Sequence, residues 1–379
     1  MLKQATAKSG RTGSLARQHA VNRAVGDLRR GDAVLLRDGE CAALIQAAET
    51  IDDEGLARAS AWTGHTAQLA TTRRRAVALD LAPLETASAR TVVLTLPEDV
   101  DANFLNELAD PTVVRQVPAP PIALEDAPEH SIATAAIELA KLARLLPAVA
   151  LFSIETRLGA LLARREGIVE LSVGTVAEHR SVLAQGLRRV ADARVPLADA
   201  ENVRIVAFRP DDGGIDHLAI LIGEPQGSEP VLTRIHSECF TGDLLGSLRC
   251  DCGEQLRGAI RAIAAAGSGV VVYLAQEGRG IGLVNKLRAY RLQDTGFDTV
   301  DANEQLGFEA DERVYQPAAE ILRQLGFDRI RLLTNNPDKI EAVLRYGITV
   351  TEHVPHAFTP NDHNRAYLQT KKAKSGHLF

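Results

Sequence analysis

No apolar run in this chain approaches the roughly 18 residues that a membrane-crossing helix requires, and no secretory h-region stands near the amino terminus. A soluble protein without a membrane partner is expected. Basic residues do not outnumber acidic ones: 43 against 49 gives a net charge of -6 and a pI near 6.0. Aromatics make up only 4% of the sequence, so the basic, aromatic-interleaved signature of a nucleic-acid binder is missing. Any polyanion must therefore be held by local basic residues. Only four cysteines occur; Cys41 stands alone, while Cys239, Cys250 and Cys252 fall close together. With no export signal, that grouping reads as metal chemistry in a reducing cytoplasm rather than as a disulfide framework.

What is present is an ordinary globular balance, 45% hydrophobic and 24% charged over 379 residues, which suggests two domains. The first 26 positions carry Lys3, Lys8, Arg11, Arg17 and Arg23 with no acidic residue before Asp27, so residues 1–15 are expected to be a solvated basic tail. Composition shifts at Pro118–Pro121 and again at Val195–Ala200, where a helical region gives way to strand-like segments. Strands and helices alternate, loosely before this boundary and clearly after it, predicting a mixed α/β fold with two domains. Apolar runs suggest strands at Val203–Phe208, Leu218–Ile222, Pro230–His236, Gly269–Ala275 and Arg329–Thr334. Helices are expected at Cys252–Ala266, Leu283–Gln293, from Asp311 to about Leu325, and from Pro337 with Asn336 as cap. Recurring strand–turn–helix units place ligand sites at the strand ends.

Cys239, Cys250 and Cys252 form a C-x10-C-x-C set of soft ligands suited to zinc. Three ligands leave a fourth position for water; a structural site completed by His236, or three unrelated buried thiols, fits the spacing equally well. Glu277-Gly278-Arg279-Gly280-Ile281-Gly282 sets glycines between a strand and a helix, where backbone N–H groups can face phosphate, although a purely structural turn is the commoner use. Lys286 and Arg288 could add positive potential. Asp311 and Arg313 bracket Glu312, with Asp311 either a helix cap or half of a catalytic pair. Thr334 and Lys339 are placed for phosphate, with turn capping and a solvated lysine as the plainer alternatives.

Taken together, His236-Ser-Glu-Cys239-Phe-Thr-Gly-Asp243, Arg249-Cys-Asp-Cys-Gly253, Gln276 to Gly282, Asn303 to Arg313 and Leu332 to Pro337 closely resemble GTP cyclohydrolase II. The resemblance covers residues 191–379, including the closing Gly376-His-Leu, and marks off an N-terminal domain of residues 16–190. It implies conversion of GTP to a diaminopyrimidine ribosylamine phosphate with release of formate and diphosphate, the first step of riboflavin biosynthesis. It further implies one zinc on Cys239, Cys250 and Cys252, magnesium with the triphosphate, and a homodimer. Tyr290 falls where the family has a tyrosine assisting ring hydrolysis, and Asp311 where it has a proton acceptor. Arg313 falls at the proposed nucleophile toward the α-phosphate, where charge stabilisation is the physically easier role. Arg234, Ile235, His236, Ser237, Glu238, Gln255, Glu277, Gly278, Arg279, Thr299, Thr334 and Lys339 match GTP-contacting positions. A relative linked to pyrimidine catabolism, or a nucleotide-sensing binding module, would keep the metal and lose the turnover.

The N-terminal part resembles dihydroxybutanone-phosphate synthase more faintly. Where that family has an acidic, arginine-rich loop, this chain reads Leu36-Arg-Asp-Gly-Glu-Cys-Ala-Ala-Leu-Ile45, followed by Ala47-Ala-Glu-Thr50. Glu129-His-Ser-Ile-Ala133 lacks the carboxylate that the family has after its histidine. A degenerate, non-catalytic domain is expected, since magnesium needs those carboxylates.

Overall fold

The computed structural model describes residues 2–82, 89–113 and 123–356, with side chains from residue 15 onward except at 180–185. The Pro118–Pro121 segment, the closing Gly376-His-Leu and the lysines at 371, 372 and 374 lie outside the described residues. The chain divides into two compact units, one of Met1–Arg180, Val284–Phe297 and Asp301–Asp311, the other of Ser181–Leu283, Asp298–Val300 and Glu312–Phe379. Each is built on a seven-stranded sheet with helices, the mixed α/β architecture the alternation predicted. Among the described residues no helix is long and apolar enough to cross a membrane.

The first unit begins with a helix over Leu2–Arg29, whose first half takes in the stretch expected as a tail. Its strands are β1 (Val34–Asp38), β2 (Cys41–Ala47), β3 (Gln68–Thr72), β4 (Thr91–Thr95), β5 (Ala123–Ala127), β6 (Ala148–Glu155) and β7 (Val169–Ser172), in the order β5-β4-β3-β6-β2-β1-β7. All neighbours are antiparallel except β1 and β7. Strands β1 and β2 pair from Val34↔Ile45 to Asp38↔Cys41, so only Gly39 and Glu40 join them, with Gly39 at φ 56°. The helix Ile132–Leu142 starts at Ser131, whose Oγ accepts from Thr134 N at 3.2 Å, and buries Ala133, Ala136, Ile137 and Ala140 at three- and four-residue spacing. That face packs with Val34, Leu36, Ile45 and Val149 in one core.

The second unit contains β8 (Leu187–Arg194), β9 (Val203–Pro210), β10 (His217–Ile222), β11 (Val231–Ser237), β12 (Gly269–Leu274), β13 (Arg329–Leu333) and β14 (Thr349–Val354), ordered β14-β13-β11-β12-β10-β9-β8. The four strands from β14 to β12 run parallel, and the remaining pairs are antiparallel. Both faces are covered. Ala219, Leu221, Val270, Val272 and Leu274 pack on one side with the helices Gln316–Gln324 and Pro337–Arg345; Ile220, Ile222 and Val271 pack on the other with Ala259, Ile260 and Ile263 of the helix Cys252–Ala265. This double burial explains the near-continuous apolar strand sequences.

Two expectations need correction. β8 lies within the region expected to be helical: it is an edge strand, exposed at all but its first residue and rich in Arg188, Arg189, Asp192 and Arg194, so no apolar alternation announces it. The helix expected from Asp311 begins only at Gln316, with Pro317 in its first turn. Asp311 is thus no helix cap. The preceding segment is held by long-range bonds instead, Glu312 N to Arg279 O at 3.1 Å and Gln276 Nε2 to Val314 O at 2.7 Å.

Candidate active site

The carboxyl ends of β11, β12 and β13 lie side by side, with Ser237 opposite Leu274 and β13 on the other flank of β11. Each strand runs out into polar residues: Glu238-Cys239 after β11, Gln276-Glu277 after β12, and Thr334-Asn335-Asn336 after β13. Parallel pairing therefore gathers residues that are separated in sequence by up to about one hundred positions, as the strand–turn–helix plan requires.

Cys239 leads into a single π-helical turn, Phe240–Leu244, and Cys252 opens the helix that follows. The three Sγ atoms lie within 4.8 Å of one another and could hold a metal ion. Two thiolates bound tetrahedrally at about 2.3 Å stand about 3.8 Å apart, and Cys239 Sγ and Cys250 Sγ are separated by 3.7 Å. A Cβ on Gly242 would meet Cys250 Sγ at 2.8 Å and Cys239 Sγ at 3.0 Å, and one on Gly253 would meet Gly242 O at 2.2 Å. The thiols are thus packed together by backbone that tolerates no added methyl. Mutual hydrogen bonding with Cys239 and burial push the Cys250 thiol up to about 11 and the Cys252 thiol well above its ordinary value. A divalent cation is what would let three such crowded thiols ionise together.

His236, the candidate fourth ligand, is directed elsewhere. Its Nε2 lies 3.1 Å from both carboxylate oxygens of Asp243, and its ring stacks on Tyr273 with centroids 5.5 Å apart. Asp243 Oδ2 also accepts from Cys239 N at 3.0 Å and from Tyr273 Oη at 2.9 Å. Burial lowers the His236 pKa, so the ring is neutral at pH 7 and donates from Nε2, leaving Nδ1 as an acceptor. Among the described residues the metal-capable group is the three cysteines alone. Neither Asp243 nor Tyr273 was assigned a role from sequence. Asp243 closes the His236-to-Asp243 motif, and Tyr273 is the one aromatic in the apolar β12 run, the signals that could have found them.

A second chain of contacts runs from the cysteine loop. Asp251 holds the cap position of its helix but bonds through its carboxylate to Gln255 Nε2, and Gln255 Oε1 receives Arg234 Nη2. Arg234 Nη1 donates to Leu333 O at 3.0 Å, and Lys339 Nζ to Ile235 O at 3.1 Å. Burial lowers the Arg234 pKa to about 10, leaving it fully charged at neutral pH. Arg313 stands near enough for its charge to add to that lowering, and its guanidinium carbon is 5.5 Å from the Tyr315 ring. Thr334 Oγ1 receives Asn336 N at 3.0 Å, the plain turn-capping use, while Asn336 Oδ1 caps the helix through Asp338 N at 2.9 Å.

Glu277 is 4% exposed; its carboxylate accepts from Phe240 N at 2.6 Å and Gly278 N at 2.8 Å, tying the glycine turn to the cysteine loop. Gly278, Arg279, Gly280 and Gly282 all have positive φ, at 64°, 61°, 98° and 88°. For Arg279 that conformation costs on the order of 1 kcal/mol, strain of a kind that concentrates at functional sites. Arg234 Nε, His236 Nδ1, Ser237 Oγ and Gln276 Oε1 are buried without a hydrogen-bond partner. Each such group costs about 1–3 kcal/mol, and four of them at adjoining strand ends mark a place where a polar ligand would complete the bonding.

The remaining expected residues divide between the units. Glu238, Thr299 and Arg313 belong to the second; Tyr290 and Asp311 fall on segments that pack with the N-terminal residues. Lys286 Nζ lies 5.7 Å from the Tyr290 ring centroid. Arg288, expected to supply positive potential, is instead bonded to Asp110 and Glu49.

A family model of GTP cyclohydrolase II matches residues 188–355. GTP cyclohydrolase-2 of Azospirillum brasilense is 53% identical over 369 residues, 96% of this chain and 95% of that protein. The Cronobacter sakazakii GTP cyclohydrolase-2 is 53% identical over 193 residues, 51% of this chain and 98% of its own length. A solved two-domain 3,4-dihydroxy-2-butanone 4-phosphate synthase from A. baumannii covers 89% of this chain and 99% of its own at 17% identity and a TM-score of 0.36, a loose likeness on which nothing further rests. With three clustered thiols, an adjoining set of partnerless polar atoms and near-full-length identity to such a relative, the chain belongs to the GTP cyclohydrolase II family of hydrolases.

Proposed function

We propose that the protein catalyses zinc-dependent hydrolysis of GTP to 2,5-diamino-6-(5-phosphoribosylamino)pyrimidin-4-one, formate and diphosphate, the first step of riboflavin biosynthesis. The observation that carries this reading is the three-thiol cluster beside Arg234, His236 and Ser237, each with a buried polar atom awaiting a partner. Zinc held by Cys239, Cys250 and Cys252 with an open fourth position would supply Lewis acidity and make hydroxide available near pH 7.

The chain's own residues would do the rest. Neutral His236, fixed by Asp243, would offer Nδ1 as acceptor for an N–H of the ligand, and Arg234 would offer a charged Nε. Ile235, Ser237, Glu238, Gln255, Glu277, Gly278, Arg279, Thr299, Thr334 and Lys339 would frame the nucleotide, with magnesium accompanying its triphosphate. Tyr290 would assist opening of the ring, and hydrolysis of the resulting formamide releases formate. Asp311 would accept a proton and Arg313 would stabilise charge at the α-phosphate as diphosphate leaves, since a protonated guanidinium is a poor nucleophile. We assign the enzyme to the cytoplasm as a homodimer. The N-terminal unit is proposed to be a non-catalytic relative of dihydroxybutanone-phosphate synthase; the two-residue turn between β1 and β2 supports this by leaving no room for an acidic, arginine-rich loop.

Incubating the metal-replete protein with GTP and magnesium, with and without zinc chelation, tests the reading. Formate, diphosphate and the diaminopyrimidine should form only with zinc present. Absence of formate from metal-replete protein refutes the assignment, and any dihydroxybutanone phosphate made from ribulose 5-phosphate refutes an inert N-terminal unit.

A further inference from the structure

The stretch from Val284 to Asp311 lies inside the cyclohydrolase family match, yet most of it packs with residues 1–180. It is fastened there at two places, each two residues from a proposed catalytic group. Near Tyr290, Arg288 Nε donates to Asp110 Oδ2 at 2.7 Å and Nη1 to Glu49 Oε1 at 3.0 Å, with the three side chains only 18%, 6% and 13% exposed. Asp110 and Glu49 are themselves fixed, Oδ1 of Asp110 by Thr112 N at 2.8 Å and Oε2 of Glu49 by Leu146 N at 2.7 Å. Fully buried Asn285 donates to Arg144 O at 3.0 Å and accepts from Arg288 at 2.8 Å.

Near Asp311, Arg74 grips Glu309 Oε2 through Nη2 at 2.7 Å and Nε at 3.0 Å, and reaches Glu304 with Nη1. Thr72 Oγ1 donates to Gly307 O at 2.8 Å, and Arg75 Nη1 to Gln305 O at 3.1 Å. Gly307 has φ 85°, and a Cβ there would meet Thr72 Oγ1 at 2.8 Å and Pro147 Cγ at 3.0 Å, so the chain comes closer to β3 than any other residue allows. Glu49, Thr72, Arg74, Arg75 and Asp110 belong to the unit proposed above to be non-catalytic. Two partly buried ion-pair clusters and a glycine contact exceed what an inert appendage needs.

We propose that the N-terminal unit is a brace for cyclohydrolase chemistry: Arg74, Thr72, Glu49 and Asp110 are positioning residues that keep the segment bearing Tyr290 and Asp311 ordered. The proposal rests on the reading of those two residues as catalytic. Its test uses full-length, zinc-loaded protein carrying Arg74→Ala, its conservative counterpart Arg74→Lys, and the near-isosteric Asp110→Asn. Misplacement of a catalytic group by about 1 Å can cost about 100-fold, so kcat for formate release from GTP should fall at least about tenfold in Arg74→Ala and Asp110→Asn. Zinc content and KM for GTP should stay within about twofold of the parent, and Arg74→Lys should recover part of kcat. Amide hydrogen exchange within 285–309 should accelerate while the cysteine loop keeps its protection. Unchanged kcat with unchanged exchange overturns the brace, as does a loss of rate that follows zinc content in all three variants. Tyr290→Phe and Asp311→Asn in the parent separate the two ideas: if these keep full rate, the catalytic assignment fails, whereas if they are slow and the brace variants are not, the brace fails.

Discussion

In the first sheet, β1 and β2 meet across Gly39 and Glu40, and Cys41 at the start of β2 is exposed. In the second, β11, β12 and β13 run parallel and end together in three thiols, a buried arginine and a buried histidine. The two sheets are equal in strand number, so the difference that bears on a site is one of strand direction and loop content. Parallel strands need crossovers and so deliver one set of loops to one edge, whereas a tight hairpin leaves no chain to carry ligands.

The sharpest way to break this comparison is to exchange the cysteines' roles. Cys250→Ser should reduce bound zinc to background and abolish formate release, while Cys41→Ser should leave both at the parental level, as measured by metal analysis and turnover. Comparable losses from both would erase the distinction. Next in size is Arg234→Met, which strips the buried guanidinium from Gln255 and Leu333 O; kcat/KM should fall by about 100-fold, on the order of 3 kcal/mol. A loss under threefold would remove Arg234 from the ligand site.

Glycine substitutions probe the same contrast more finely. Gly242→Ala places a methyl against two cysteine sulfurs and should weaken zinc binding by about 10–100-fold, the range seen when ligand geometry is disturbed from behind. Gly39→Ala meets nothing within 4 Å and should cost only about 1 kcal/mol of stability through its positive φ, with unchanged turnover. Metal titration and denaturant melts decide between them. Acid sensitivity gives a separate readout. His356, bonded to Gln255 O at 2.8 Å and facing Arg234, His236 and Asp251, is held down at about 4 by burial, against 6.5 ordinarily. Below pH 6.5 the unfolded chain binds a proton that the folded chain refuses until about pH 4, so stability must fall with pH across that window. His356→Gln should flatten this part of the melting profile, and an identical slope in the variant would exclude His356 as its source.

Much of the second unit was legible in sequence because its signals are local. The apolar runs of β10, β11 and β12 report burial on both faces, Asn336-Pro337 reports a helix start, and C-x10-C-x-C reports three thiols that could share a metal. β8 was illegible because an exposed edge strand has no apolar period, and the helix after Asp311 was misplaced because polar residues can be tied by distant carbonyls as well as by a helix cap. The lesson for Arg288 is similar: a basic residue on a helix near phosphate-type loops is a fair candidate for an anion until its carboxylate partners, about 180 and 240 residues earlier in the chain, are seen.

The sequence by itself determined the chemistry available: three thiols, a glycine turn, and the family motifs that match GTP cyclohydrolase II. Only the tertiary structure decided how those groups are partnered. Asp243 engages His236 apart from the three cysteines, Glu277 ties the glycine turn to Phe240, and residues 49, 72, 74, 75 and 110 bond to the stretch between Val284 and Asp311. The physical reason is that residue type fixes what an atom can donate or accept, while a hydrogen-bond partner is chosen by where folding brings the rest of the chain.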